Sequence, residues 1–406
     1  MTQTAEATQD TADVEHANEV RWPFVFVCCV PLLALRIKML FVHPQLGDFI
    51  SYWASGRLFL TGSHPYSEAA MLATERLQGW PYVQPMMTFC PPWTLPTLAV
   101  MAWFPFRTAQ ICWFAISLLL NCFSALGLWV YFGGDKQKAW IAMLVLATFF
   151  PMSHAELLGQ ITPLMLASLT ALLLFLKSGR QFTAGVFLLG LGFKPQLLYL
   201  LFLAMLFWII KARAWRVLAG GLAGYGGATA IAQLYNPNSL DYFRHTFRVA
   251  VEVSCGVGGV LRSIFGVQHI WLQFLPCLFG IIWFLYCWAR NRSQWAWKTH
   301  LPLLLMISVS SSPYFWNHDF ILVLPALIAV AVHGGYRNFF TLVSYLVVQE
   351  ITFAAYGYGF SDAWRSATGI LWIVFYFVAK AEMASQAGLG TLEAALHSQH
   401  WEQREA

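Results

Sequence analysis

From Trp22 almost to Lys380 the chain is a succession of apolar stretches, many within the roughly 17–25 residues that cross a hydrocarbon core about 30 Å thick. Of the residues, 58% are hydrophobic and 11% charged, whereas a soluble domain carries about 25% charged residues. Such a chain cannot hide its apolar surface in water. The expected fold class is therefore an all-α polytopic membrane protein.

Candidate spans fall at 22–42, 108–132, 139–152, 161–177, 182–193, 196–210, 214–233, 271–289, 299–312, 318–333, 338–355 and 364–380, about twelve helices, some of them short. With this threading, Lys136 and Lys138, Lys177 and Arg180, Lys211, Arg213 and Arg216, Arg290, Arg292 and Lys298, and Arg337 share one face. The positive-inside rule makes that face cytoplasmic. Both termini then lie inside. The acidic start of the chain and Arg36 and Lys38 at the other end of the first span point the other way, but acidic residues count little in that rule. The net charge of +5 follows from these loops and needs no nucleic acid as partner.

Residues 1–21 hold five acids and one base, the reverse of a signal peptide's basic start, and read as a disordered cytoplasmic tail. Residues 22–380 read as a single transmembrane domain and 381–406 as a second cytoplasmic tail. The eight cysteines lie mostly in apolar runs without a CxxC pair and read as small buried hydrophobes. Cys90 and Cys255 fall in external segments, but no bridge between them is expected.

Two external segments are long. The first covers 43–107, more than a connector needs, with the proline-interrupted stretch from Pro92 to Phe106 expected to lie along the outer surface. The second, 234–270, holds Asp241, Arg244, His245, Arg248, Glu252 and Arg262. Between the short spans 182–193 and 196–210, Pro195 ends a helix and leaves Lys194 at membrane depth. Broken backbone there is tolerated beside a protein-lined or watery cavity.

Asp48 opens the first loop and precedes an amphipathic stretch to Leu60. It reads either as the N-cap of that helix or as a general base, a carboxylate placed to take a proton from a hydroxyl. Lys194 should face a cavity and meet an anion, either Glu156 or another acid in a salt bridge, or a substrate phosphate. Arg36, Lys38, Arg244, Arg248 and Arg262 either snorkel to headgroups or bind phosphate oxygens. His154, Glu156 and Gln160 cluster at one outer turn, where they bind sugar hydroxyls or cap helix ends. Asp319 reads as a cap and His318 as a donor to a phosphate or hydroxyl. No HExxH, DxD, close acidic pair, Walker loop or GxGxxG stands where it would serve, so no metal or cofactor is expected.

Taken together, Gly47-Asp48-Phe49 with Tyr52, Gly62-Ser63-His64-Pro65-Tyr66, Phe89-Cys90-Pro91-Pro92, Leu158-Gly159-Gln160, Ala184-Gly185 through Phe193-Lys194-Pro195, and Ser312-Pro313 through Asp319 resemble glycosyltransferase family 87, the polyprenyl-phosphate-dependent membrane mannosyltransferases. The resemblance implies the C-type glycosyltransferase fold, with a long first external loop of juxtamembrane helices. It also implies inverting transfer of a sugar, mannose in the better-known members, from a polyprenyl phosphate donor to a lipid or glycan hydroxyl. The expected setting is the plasma membrane, with the site on the non-cytoplasmic face. Asp48 maps onto the family's base. Lys194 and His318 map onto donor-phosphate contacts, and Tyr52, Gln160, Glu156 and Arg262 join them as candidate substrate-binding residues. A Tyr-Pro-Pro is commoner where this chain has Cys90-Pro91-Pro92. A transporter or lipid flippase would also have many spans and buried charges, but the two halves show no repeat. A non-catalytic scaffold would leave Asp48 and Lys194 replaceable.

Overall fold

The computed structural model describes residues 21–42, 47–246, 257–357 and 368–385. The expected tails at 1–20 and 386–406, together with Arg248, Glu252 and Cys255, lie outside the described residues. So do the side chains of Arg36 and Lys38.

Helices stand at the described parts of the expected spans, and no strand occurs among the described residues. In chain order they are α1 (Trp22–Val42), α2 (Phe49–Leu60), α3 (Glu68–Arg76), α4 (Leu95–Ala102), α5 (Phe106–Phe132), α6 (Trp140–Thr148), α7 (Phe150–Leu158), α8 (Thr162–Lys177), α9 (Gln181–Val186), α10 (Leu188–Leu191), α11 (Tyr199–Ala212), α12 (Trp215–Tyr235), α13 (Ser239–Thr246), α14 (Val257–Phe265), α15 (Trp271–Asn291), α16 (Trp297–Ser310), α17 (Leu324–Val332), α18 (Phe339–Gly357) and α19 (Thr368–Ser385). The last continues past Lys380, so the expected tail at 381 begins as helix.

Six of the described helices are long and apolar enough to cross a membrane, and a seventh is counted if the bent pair α6–α7 is one span. The expected twelve are thus helical but not all full-length, because several are interrupted. The chain bends by 61° between α6 and α7, where Phe149 is extended and Pro151 follows. The Phe150 N–H freed by the bend donates to Gln349 Oε1 at 2.9 Å. A second break runs from Gly192 through Pro195. There Ser308 Oγ donates to Leu197 O at 2.8 Å and accepts from Leu200 N–H at 3.2 Å. Neighbouring side chains thus satisfy the broken backbone, as a low-dielectric setting requires.

The first loop differs from its expectation. α2 is no amphipathic surface helix: ten of its twelve residues are buried. Gly56 brings it onto the backbone of Leu98 in α4, where a Cβ would overlap the Leu98 carbonyl. Pro92–Phe106 forms a short 3₁₀ turn and α4, too short to span. Deeper in the bundle α9 and α12 meet backbone to backbone at Gly185 and Gly220, the small-residue packing that lets membrane helices approach closely.

Candidate active site

Two glycines bring the key side chains together. Gly47 has φ +48° and lies where a Cβ would press into the backbone of Leu158; Gly159 has φ +65° and would place a Cβ 2.6 Å from Phe49 Cβ. The turn ending α7 and the turn starting α2 therefore interlock. Trp113 Nε1 donates to Gly159 O at 3.0 Å and its ring stacks near Phe49. Asp48 and Gln160, next to these glycines, face each other as a result.

Asp48 occupies the N-cap position of α2 but makes no side-chain capping bond. Its Oδ2 instead accepts from Gln160 Nε2. Gln160 Oε1 accepts from Tyr52 Oη at 2.9 Å and from Lys194 Nζ at 3.0 Å. Lys194 Nζ also meets Asp319 Oδ1 at 2.8 Å, and Asp319 Oδ2 accepts from the Trp316 N–H at 2.8 Å. Asp319 is therefore both the expected cap and the anion that Lys194 requires. That anion is not Glu156, which is buried and accepts from Asn121 Nδ2 at 2.5 Å.

These groups line a cavity of about 560 Å³ with Asp48, Tyr52, Gln160, Lys194, His154 and His318 in its wall. Thr88–Cys90, Tyr314, Trp316 and Tyr356 complete much of it. The 81–90 loop is tied down at several points. Tyr66 Oη donates to Cys90 O at 2.9 Å, Trp80 Nε1 to Gln84 O at 2.8 Å, and the Met86 N–H to Glu75 Oε2 at 3.0 Å. His318 is buried, with Nε2 3.6 Å from Asp319 Oδ1 and neither ring nitrogen hydrogen-bonded among the described residues.

Burial raises the Asp48 carboxyl to about 6, against the lowering effects of the Lys194 charge and the Gln160 hydrogen bond, while the Asp319 charge adds to the rise. Such a group is ionised at neutral pH yet basic enough to take a proton.

Five of the seven residues that the family resemblance marked as catalytic or substrate-binding candidates thus share one cavity, and His154 lines it too. Glu156 does not, and neither does Arg262, whose guanidinium donates to Val267 O and Gln273 Oε1. Arg244 is exposed beside Asp241 at 3.7 Å. The sequence reading missed Asp319 as an ion partner, although an intramembrane lysine calls for an acid, and it missed the 84–88 wall. A larger groove of about 670 Å³ lies between α4, α5 and α12, lined by apolar side chains and by Gly224 and Gly227.

No curated protein matches the chain. The model of glycosyltransferase family 87 matches residues 89–313, more than half of the 406 residues, which takes in Gln160 and Lys194 and stops short of Asp48 on one side and His318 on the other. A helical membrane-type bundle, a cavity lined by a carboxylate and an ammonium group, and this match agree: the chain belongs to glycosyltransferase family 87 and is a membrane glycosyltransferase.

Proposed function

We propose that the enzyme moves a sugar, by family resemblance a mannose-type hexose, from a polyprenyl phosphate to a hydroxyl of a lipid or glycan, with inversion and with Asp48 as general base. The observation that carries this is the placement of the Asp48 carboxylate and the Lys194 ammonium on opposite ends of one amide in one cavity. The acceptor hydroxyl gives its proton to Asp48 as its oxygen bonds to the anomeric carbon. The bond from that carbon to the phosphate oxygen breaks on the opposite face, and polyprenyl phosphate leaves with the electron pair. Charge grows on the phosphate as the bond breaks, and cationic or N–H donors placed there stabilise it most at that moment.

Lys194 has three N–H donors, two of them engaged by Asp319 and Gln160, which leaves one for a phosphate oxygen. A neutral His318 offers a second donor in the same cavity. A β-linked donor would give an α-linked product. The apolar groove beside α12 fits an isoprenoid chain. In this reading the protein works in the plasma membrane, with its cavity on the non-cytoplasmic face and membrane lipids around it.

The test is transfer of labelled mannose from synthetic polyprenyl phosphate mannose to a membrane lipid fraction by purified wild type and Asp48→Asn, which keeps shape and removes basicity. Wild type is expected to glycosylate a lipid, with a rate that falls as pH drops through about 6, where Asp48 takes up its proton. The variant is expected to bind donor and make no product. A fully active Asp48→Asn protein would rule Asp48 out as the base, and donor movement without transfer would rule out the transferase reading of this cavity.

A further inference from the structure

The two ends of the Gln160 side chain are chemically fixed. A glutamine amide ordinarily has nitrogen and oxygen that are hard to tell apart, but an ammonium can only donate and an ionised carboxylate can only accept. With Lys194 Nζ and Tyr52 Oη on one side and Asp48 on the other, the nitrogen must face Asp48. The backbone beneath is equally constrained: the Gln160 N–H donates to Ala155 O at 2.9 Å, and Gly159 is pinned between Trp113 and Phe49. Gln160 is only 1% exposed, and its amide oxygen already accepts two hydrogen bonds, so little of it is left to grip a sugar.

We infer that Gln160 is a positioning residue: oriented by Tyr52 and Lys194, it holds Asp48 through Oδ2 and so presents Oδ1 to the acceptor hydroxyl. This rests on the reading of Asp48 as the base. It has a consequence beyond geometry, because a hydrogen bond given to the ionised carboxylate favours that form over the protonated one. Lys194 and Asp319 act on Asp48 from the facing elements, Asp48 in turn acts on Tyr52 and Tyr314, and Cys90, His154 and His318 line the same cavity. Gln160 is the neutral bridge among them, and through it the cation is tied to the base.

The experiment compares the full-length enzyme with Gln160→Met, Tyr52→Phe, the double variant and Asp48→Asn. Donor KM, kcat and the pH profile are measured with synthetic polyprenyl phosphate mannose. Gln160→Met, which keeps bulk and loses the hydrogen bonds, is expected to lower kcat roughly ten- to a hundredfold. Donor KM should stay near wild type and the acid limb should move to higher pH, because the group favouring ionised Asp48 is gone. Tyr52→Phe should move the limb the same way to a smaller extent, and should add nothing in the Gln160→Met background.

A raised donor KM with kcat and acid limb unchanged would make Gln160 a substrate contact and overturn the inference. If Gln160→Met fails to fold, Tyr52→Phe decides alone, since it removes one hydroxyl and leaves the packing; an unmoved limb there overturns it too. Failure of the underlying reading looks different: Asp48→Asn would then keep its rate whatever Gln160 does.

Discussion

Gly159 and Gly47 decide how near Asp48 comes to Gln160, and each is a glycine for two reasons. Both sit at positive φ, and a Cβ at either would strike the opposing turn. For Gly159→Ala the left-handed backbone alone costs about 1 kcal/mol, and displacing Phe49 brings the total to about 2–4 kcal/mol. Gly62→Ala is the matched control, since it has φ +68° with nothing near its Cβ and meets only the backbone term. Thermal melting of the purified proteins should show the larger loss at Gly159. Transfer activity should fall further than the melting shift explains, because the displaced turn carries Gln160. Equal effects at the two glycines would mean that the interlocked turns are not what sets the site.

At the scale of elements, the wall formed by the 81–90 loop is held by α3. Glu75 is buried, and burial lifts its carboxyl to about 7, against the opposing effect of the Met86 N–H that it accepts. A carboxyl raised from 4.5 to about 7 binds more protons folded than unfolded across that interval, so stability falls as pH rises through it and stays lower above. Glu75→Gln keeps an acceptor for Met86 and removes the titration. Its thermal midpoint is expected to depend less on pH between about 5 and 7 than that of wild type, and parallel pH curves for the two proteins would refute the assignment.

Neither this tether nor the burial of α2 was legible in the sequence. Periodicity separates a wet face from a dry one, but Phe49–Leu60 is covered by α4 and α5, so its serines and Tyr52 look solvated on paper when they are not. The Lys194-Pro195 break and the Gly159-Gln160 turn were readable, because proline, glycine and a membrane-depth lysine announce themselves locally. The pairing of Lys194 with Asp319 spans 125 residues, and no local pattern encodes a partner at that distance. Arg262 misled for the related reason that an arginine in a loop looks equally apt for a phosphate and for a carbonyl such as Val267 O.

Across the whole molecule, the site lies where interrupted helices meet, with α7, the Lys194 break and the 312–319 turn all delivering side chains to one cavity. The groove between α4, α5 and α12 is the complementary feature: apolar, glycine-lined and without the acid and base that mark the cavity. If the donor is an isoprenoid phosphate, its head and its chain need these two environments, and they can be separated by mutation. Gly227 lines the groove and has open space at its Cβ, whereas Gly226, equally open, is absent from the lining. Gly227→Leu therefore fills the groove without strain and should raise the KM for a long-chain donor about tenfold, the effect of losing one well-packed apolar contact. The KM for a donor with a short prenyl chain should change far less, since a shorter chain places less of itself in the groove. Gly226→Leu should alter neither. If Gly227→Leu affects short and long donors alike, or the two glycines behave alike, the chain lies elsewhere and the groove holds only bulk lipid.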